Sequence, residues 1–375
     1  MLPRSRLLSA KGLALLAVLV ATVAVLSGCL GTGVRPLGWS GAAISGDNIY
    51  FGSMDGKLVA LDGANGNPLW QLPLEGAAAS GGIGCAGATA AVGIYGTPVV
   101  ADGLVFLSAY NGRLYAVNAD SGSLRWQFPA DGYLLPIIGG PTVAGDRVYF
   151  GSSEGDVYAL DVANGDIVWQ VKTGGKVWAT PVIDGDTLYI GSFDKKLYAL
   201  STADGSIKWQ FEADGAFMAS PLVAGNTVYV GSLDRRFYAL DKESGAVKWQ
   251  FEAGGWFAAS PLIYNGAIYA PSFDNKVYVL DAESGSKEAE FDLGSPVAAS
   301  PVLVGNFIIV ASDAGQVYMI DGDTGQMRLL ADLEAKVLAP LSTGGGIVYV
   351  HTQEDETLYA IDPETRLAVW DYAVK

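Results

Sequence analysis

One phrase recurs eight times in this 375-residue chain, and it limits the possible folds more than any other feature. In each copy a polar residue, usually Asp, ends a short apolar segment, and a turn follows. A Trp stands eight residues after the polar residue in six copies. The copies recur about every 40 residues, apart from one longer interval near the N-terminus. Units of this size cannot bury their own apolar faces, so they must stack into one body.

The sequence of one repeat unit indicates which fold the stacked units form. The unit 217–255 holds four short apolar segments, each bounded by Gly, Asn, Asp or Pro, as strands joined by tight turns should be. No helical periodicity occurs in the repeats. The sequence therefore predicts an all-β fold, namely an eight-bladed β-propeller of four-stranded antiparallel blades. The four segments are 219–225, 227–231, 237–240 and 247–251.

The Trp of each phrase is predicted to lie on the outer strand and to wedge between adjacent blades. Burying it there stabilises the fold by roughly 2–3 kcal/mol. Ala289 and Leu329 stand where two copies lack Trp, so we expect those two interfaces to be the least firmly packed. The six wedging residues are Trp70, Trp126, Trp169, Trp209, Trp249 and Trp370.

The two ends of the repeat region predict how the ring closes. The first unit begins with its own inner strand near 41–45, and the last ends with its own outer strand near 368–374. No strand is left over for exchange, so the first and last blades should close the ring by face packing alone.

The N-terminal region has the features of an export signal. A basic start and a short apolar run over 12–26 lead to Leu26-Ser27-Gly28-Cys29. These last four residues resemble the lipobox of bacterial lipoproteins, whose Cys becomes the lipidated first residue. We therefore expect a signal peptide over 1–28, a lipidated linker over 29–37, and a propeller over 38–375 with an insertion at 76–96.

Charge and cysteine content exclude several classes of function. The formal net charge of −16 opposes binding to nucleic acid. Cys29 and Cys85 are the only cysteines, and lipidation of Cys29 would leave no partner for a disulfide. Cys85 is interpreted as a small buried apolar residue rather than a reactive thiol. His351 is the only histidine, and we interpret it as a half-buried structural residue of a strand.

The phrase resembles the tryptophan-docking motif of propeller repeats named for pyrroloquinoline quinone (PQQ). Enzymes built on these repeats hold PQQ and a metal ion at the propeller mouth, and some stack the cofactor against a disulfide between adjacent cysteines. This chain has no such pair and only short connections between strands. We therefore expect neither PQQ nor a metal ion, and no enzyme activity.

One face of the predicted propeller carries a candidate interaction rim. Loops entering the inner strands bring large apolar side chains to this face, and turns between the second and third strands bring basic ones. Such a mixture is typical of interfaces, although the same aromatics would also serve to fill gaps between blades. The candidate rim residues are Trp39, Tyr133, Leu134, Trp178, Phe217, Met218, Arg235, Arg236, Trp256 and Phe257.

The lipobox, the eight repeats and the lack of a cofactor pair together are similar to the BamB family of outer-membrane assembly factors. This resemblance implies a non-catalytic, monomeric envelope scaffold that binds protein partners, including the barrel-assembly machinery. Its place would be the periplasmic side of the outer membrane, or the outer face of the cell membrane in a cell with one membrane. A PQQ-dependent dehydrogenase or its relic, and a carbohydrate- or small-ligand-binding propeller, remain as alternatives.

Overall fold

The computed structural model describes residues 40–74 and 92–374. All regular elements in these ranges are β-strands, which form eight sheets of four consecutive antiparallel strands. The predicted eight-bladed propeller is confirmed. The described residues contain no helix with the length and apolar character needed to span a membrane. The predicted signal peptide 1–28, the linker 29–37, Trp39 and Cys85 lie outside the described residues.

The blades follow one another in chain order. Blade 1 contains β1 Ala42–Ser45, β2 Asn48–Gly52, β3 Lys57–Asp62 and β4 Pro68–Pro73. Blade 2 contains β5 Val99–Ala101, β6 Leu104–Ala109, β7 Arg113–Asn118 and β8 Leu124–Phe128, and blade 3 contains β9 Thr142–Ala144, β10 Arg147–Gly151, β11 Asp156–Asp161 and β12 Ile167–Lys172. Blade 4 contains β13 Val182–Asp184, β14 Thr187–Gly191, β15 Lys196–Ser201 and β16 Ile207–Glu212.

The second half repeats this arrangement. Blade 5 contains β17 Leu222–Ala224, β18 Thr227–Gly231, β19 Arg236–Asp241 and β20 Val247–Glu252. Blade 6 contains β21 Leu262–Tyr264, β22 Ala267–Pro271, β23 Lys276–Asp281 and β24 Lys287–Asp292, and blade 7 contains β25 Val302–Val304, β26 Phe307–Ala311, β27 Gln316–Asp321 and β28 Met327–Asp332. Blade 8 contains β29 Ser342–Gly344, β30 Ile347–His351, β31 Thr357–Asp362 and β32 Leu367–Ala373.

The apolar core lies between blades rather than at one centre. The described residues form eight apolar clusters, and each cluster combines side chains from two neighbouring blades. The two middle strands of a blade are buried on both faces, whereas the outer strand buries alternate residues only. This pattern makes each blade interface a separate packing unit.

The docking Trp of one blade contacts the turn of the next blade in two ways. The Trp209 indole N–H donates a 2.9 Å hydrogen bond to the backbone carbonyl of Lys242. Its ring lies against Gly245, where an added Cβ would come within 2.6 Å of it. Gly245 also has a φ of 71°, a conformation that favours glycine. Five further pairs repeat the contact: Trp70 with Gly122, Trp126 with Gly165, Trp169 with Gly205, Trp249 with Gly285, and Trp370 with Gly66.

The interface between blades 6 and 7 has no docking Trp and is filled differently. Ala289 pairs with Val279, whereas Trp249 pairs with the smaller Ala239 in blade 5. The facing turn glycine, Gly325, has no atom within 4 Å of an added Cβ. In place of the indole bond, Asp323 accepts hydrogen bonds of 3.0–3.2 Å from three side chains of blades 6 and 7, Tyr264, Asn265 and Asn306.

The interface between blades 7 and 8 corrects one expectation. The β-bulge of blade 7 falls between Val317 and Tyr318, two residues earlier than in the other blades, which shifts the outer strand. Leu329, expected at the Trp position, is therefore 49% exposed, and Leu330 is buried in its place at 7%. The facing turn carries Arg366 at a φ of 60° where other turns have Gly. A side chain is tolerated there because no indole ring lies against it.

The ring closes by packing between blades 8 and 1. In the described residues, β1 pairs only with β2 and β32 only with β31, so no strand is exchanged. A shared apolar cluster contains Ile49 and Phe51 of blade 1 with Tyr349 and Leu358 of blade 8. The closure thus uses the same kind of contact as the other interfaces.

Matched glycine substitutions will test the docking contact. Gly245→Ala and Gly325→Ala share the cost of placing a side chain at positive φ, about 1–2 kcal/mol. Only Gly245→Ala also overlaps a Trp ring, so it should lower the free energy of unfolding by about 1–3 kcal/mol more. Urea unfolding of both variants measures the difference. Equal losses would mean that the indole does not require glycine opposite it.

Candidate functional site

The rim is built from two sets of segments on one face of the propeller. We call the connections between second and third strands rim turns, and the loops from an outer strand to the next inner strand entry loops. The entry loop of blade 5 hydrogen-bonds to two rim turns: Phe217 N–H to Ser192 O in blade 4, and Leu233 N–H to Ala216 O within blade 5. This entry loop therefore ties the rim turns of blades 4 and 5 together.

Three successive positions of an entry loop differ in burial. In the loop entering blade 6, Trp256 is 53% exposed, Phe257 is 1% exposed and Ala258 is half-buried. The buried residue inserts between two sheets, over a glycine at the end of the second strand; a Cβ on Gly231 would overlap Phe257. Phe217 holds the same position and is fully buried. Phe217 and Phe257 are available to no partner, so they do not belong to the rim surface.

Trp178 and Met218 occupy the third position of their entry loops, and both are half-buried. By repeat spacing, Trp39 aligns with this position in the sequence. The Trp178 indole N–H donates to Ser153 Oγ at 2.9 Å. Its ring meets the edge of Phe193 at a centroid distance of 4.5 Å. Trp178 is thus fixed in place, with only part of its ring facing solvent.

The entry loop of blade 3 places two of its predicted residues differently. Tyr133 is 47% exposed, and the Arg113 guanidinium lies 4.4 Å from its ring centroid. Leu134 is half-buried, whereas its neighbour Leu135 is exposed. The exposed apolar surface of this loop therefore comes from Tyr133 and Leu135.

The rim turns contribute apolar residues that sequence reasoning missed. Phe193, Leu233 and Phe273 are each the second residue of a rim turn, in blades 4, 5 and 6, and each is half-buried. Phe273 lies 6.2 Å from Trp256 between ring centroids. The signal was present, since each of these residues stands between Ser and Asp in a repeated Ser-x-Asp turn.

The rim cations are paired with carboxylates, so the rim is not a basic patch. Arg235 lies 3.5 Å from Glu252, and Arg236 lies 2.8 Å from Asp214. Both pairs are largely exposed, where ion pairs contribute little to stability. Their effect is to leave the rim of blades 4–6 close to neutral on a strongly acidic protein. Lys195 has no carboxylate within ion-pair distance among the described residues.

At the tips of the rim turns, some blades carry a side chain although the backbone conformation favours glycine. The backbone at the tip is left-handed in every blade, and four blades use Gly there. Blades 4, 5 and 6 instead carry Lys195, Arg235 and Asn275 at φ values of 73–75°, and blade 8 carries Glu356. Lys, Arg and Glu in this conformation cost about 1–2 kcal/mol each, whereas Asn adopts it more readily. Residues held in strained backbone conformations cluster at functional sites.

Acidic side chains dominate the opposite part of the rim. The rim turns of blades 8 and 1 carry Glu354, Asp355, Glu356 and Asp55. Glu356 Oε1 accepts a 2.6 Å hydrogen bond from the Met54 N–H, across the closure, and burial raises the pKa of this carboxyl. The rim thus has an acidic sector on blades 8 and 1 and an apolar, charge-balanced sector on blades 4–6.

The propeller mouth does not have the donor set that PQQ would need. In the seven entry loops that the structure describes, the side chains that meet the inner strand are apolar apart from one tyrosine hydroxyl: Tyr95, Ile138, Trp178, Met218, Ala258, Ala298 and Leu338. They offer no cation to the cofactor's carboxylates and no carboxylate to a calcium ion. The described residues also contain no cluster of three His, Cys, Asp or Glu side chains placed to hold a metal ion. The carboxylate of Asp323 accepts hydrogen bonds from side chains of blades 6 and 7.

His351 is fully buried rather than half-buried as expected, with 4% of its surface exposed. It ends β30 at the position that Gly151, Gly191 and Gly231 hold in other blades. Its Nδ1 lies 2.8 Å from the carbonyl oxygen of Ser40. His351 is therefore part of the ring closure and lies away from the apolar sector of the rim.

Comparison with known proteins shows to which family this propeller belongs. Its fold and its Trp-docked turns define a propeller of PQQ-like repeats. The family model described as outer membrane protein assembly factor BamB matches residues 34–171, 155–296 and 274–375. The chain belongs to this family.

Individual relatives are more distant. BamB of Yersinia pestis is 31% identical over 91 residues, and a quinohemoprotein alcohol dehydrogenase of Pseudomonas putida is 31% identical over 94 residues, each match covering 24% of this chain. The chain spans only 19% and 12% of the lengths of these two proteins.

Solved structures show the same fold. The crystal structure of BamB from Moraxella catarrhalis superposes with a TM-score of 0.70 at 21% identity, covering 84% of this chain and 91% of that one. The computationally designed protein Ika8 also gives 0.70, at 16% identity, covering 86% and 95%. At these identities the likeness concerns the fold alone.

Adjacent substitutions will separate rim surface from core. Phe257→Ala should lower the free energy of unfolding by about 3–5 kcal/mol, because it empties a buried site. Trp256→Ala should lower it by less, about 0.5–1.5 kcal/mol, because half of this residue's surface is already in solvent. Urea unfolding measures both. A large loss on Trp256→Ala would place this indole in the structural framework.

Proposed function

We propose that this protein is a non-catalytic scaffold of the cell envelope that binds a protein partner through the rim of blades 4–6. The partner class that its family suggests is the machinery for outer-membrane protein assembly. Cys29, if lipidated, would tether the propeller to the membrane through the residues before Ser40. The scaffold would then act by holding its partner at the membrane surface.

The observation that carries this proposal is the set of three left-handed tips. Lys195, Arg235 and Asn275 stand on consecutive blades at positions where four of the other five blades use glycine. Lys195 and Arg235 are exposed and belong to none of the apolar clusters between the described blades, whereas Asn275 is half-buried. Their backbone cost is accounted for if they contact a partner.

Neighbouring features support the same sector. Trp256 exposes half of its surface beside the half-buried Phe273, and Trp and Arg are the residue types enriched in interface hot spots. The paired cations keep this sector close to neutral, so an approaching protein meets less repulsion than on blades 8 and 1. Exposed aromatic surface and weak net charge together favour a protein partner.

The two alternatives are supported less well. The partial match to a quinohemoprotein dehydrogenase lies in a chain segment that spans about an eighth of that enzyme. The apolar mouth lacks groups that would hold its quinone. A carbohydrate site would need open aromatic faces, and Trp178 has its ring packed against Phe193. A protein partner requires neither groups that hold a quinone nor open aromatic faces, and it would contact residues that are already exposed.

A rim variant with a matched control tests the proposal. The triple variant Trp256→Ala, Arg235→Gly, Lys195→Gly removes three projecting side chains and gives two tips the residue that other blades use. The control, Ile207→Ala with Val247→Ala, removes exposed apolar side chains from the outer strands of blades 4 and 5. The probe is the purified periplasmic region of the outer-membrane barrel-inserting protein of the same organism.

We expect the triple variant to weaken binding of this probe by about tenfold or more, measured by calorimetry. Its thermal unfolding midpoint should not fall, because glycine relieves the backbone cost at two tips. The control should bind within about twofold of the unaltered protein. Equal binding by the triple variant would exclude the rim of blades 4–6. No binding by the unaltered protein would exclude this partner.

A further inference from the structure

The closure between blades 8 and 1 contains a group that the scaffold function does not use. At four other interfaces an apolar residue of the entry loop packs over a glycine that ends the second strand, as Phe217 packs over Gly191 and Phe257 over Gly231. At the closure the second strand ends in His351. The entry-loop position in register with Phe217 falls on Gly38, outside the described residues. An imidazole thus replaces a small residue at this one interface.

The contacts of His351 determine its charge state. A carbonyl oxygen only accepts hydrogen bonds, so the imidazole must donate from Nδ1 to Ser40 O. Nε2 is then the bare acceptor, and it is buried without a hydrogen-bond partner in the described part of the chain. The edge of the Phe51 ring packs against the imidazole, with 5.1 Å between centroids. The neutral ring fits this site, whereas a proton on Nε2 would place a charge and an unpaired donor in an apolar pocket.

We propose that His351 is an acid-sensitive latch of the propeller: when the imidazole is protonated, β1 separates from blade 8 and the ring opens locally at its closure. The opening exposes Nε2 to water, which supplies the missing acceptor. Ser40, the latch contact, directly follows the chain segment that carries Cys29. Acid would therefore loosen the propeller where its N-terminal tether begins.

The charged groups around the latch set the direction of the effect. Burial lowers the pKa of His351, and the Ser40 carbonyl and the Asp355 carboxylate oppose this without reversing it. The group is therefore neutral in the folded state and protonated in the open state below about pH 6.5, so the closed state loses stability as the pH falls below that value.

One neighbour acts in the opposite sense. Burial raises the pKa of Glu356, so its protonation favours the folded state as the pH falls. Asp55, which is paired with Lys57, also faces this end of the closure from blade 1. The Glu356→Gln variant removes the opposing titration and should leave the acid sensitivity of the latch in place.

Hydrogen exchange on the untagged whole chain tests the latch. Amide protection is compared at pH 7.5 and 5.5, after correction for intrinsic rates, in peptides covering β1 and β30 and in a control peptide of blade 4. In the unaltered protein, protection of β1 and β30 should fall by about tenfold at pH 5.5, with little change in blade 4. The His351→Gln variant should lose this pH dependence, because Gln keeps a donor to Ser40 but does not titrate. The latch is refuted if this variant keeps it, or if blade 4 loses protection equally.

A second measurement does not depend on the variant folding. Because His351 is the only histidine, its imidazole gives the only histidine signals in a nitrogen-15 spectrum. At pH 7.5 these should show a protonated Nδ1 and a bare Nε2. An imidazole that titrates near pH 6.5, with full protection of β1 retained at pH 5.5, would overturn the proposal.

Discussion

The contact between a Trp ring and the turn of the next blade is the interaction on which this propeller depends. It joins one side chain, one backbone carbonyl and one glycine, and it recurs at six of the eight interfaces. Because the participants hold equivalent positions in each blade, the same local contact sets the same angle between neighbours each time. A closed ring then follows from repetition, without long-range contacts that must be specified one by one.

The two interfaces without Trp show how tightly this contact constrains the sequence. Between blades 6 and 7, which lack the indole, the third-strand residue is Val279, larger than the Ala239 that pairs with Trp249 in blade 5. Between blades 7 and 8, which also lack it, the facing turn tolerates Arg366. Glycine at the turn is thus required by the neighbouring indole as well as by its own dihedral angle. Because the docking turns lie on the face opposite the rim, the rim turns vary freely, and side chains such as Arg235 appear there.

Sequence reasoning predicted the blades and the docking residues because these depend on local pattern. It failed where two separate segments decide the outcome. Leu329 was misplaced because the bulge of blade 7 shifts the outer strand, and no local signal marks a bulge. Phe217 and Phe257 looked like rim residues because irregular loops lack a strand's alternation between faces. The basic rim proved balanced because partners such as Glu252 come from another strand.

The closure is the interface at which a repeat architecture is least constrained by repetition. Ser40 and His351 are 311 residues apart, so this contact forms only when all the blades between them are in place. A group placed there acts on the contact that joins the first blade to the last. A buried imidazole at this point therefore links the protonation of one side chain to the contact that closes the ring.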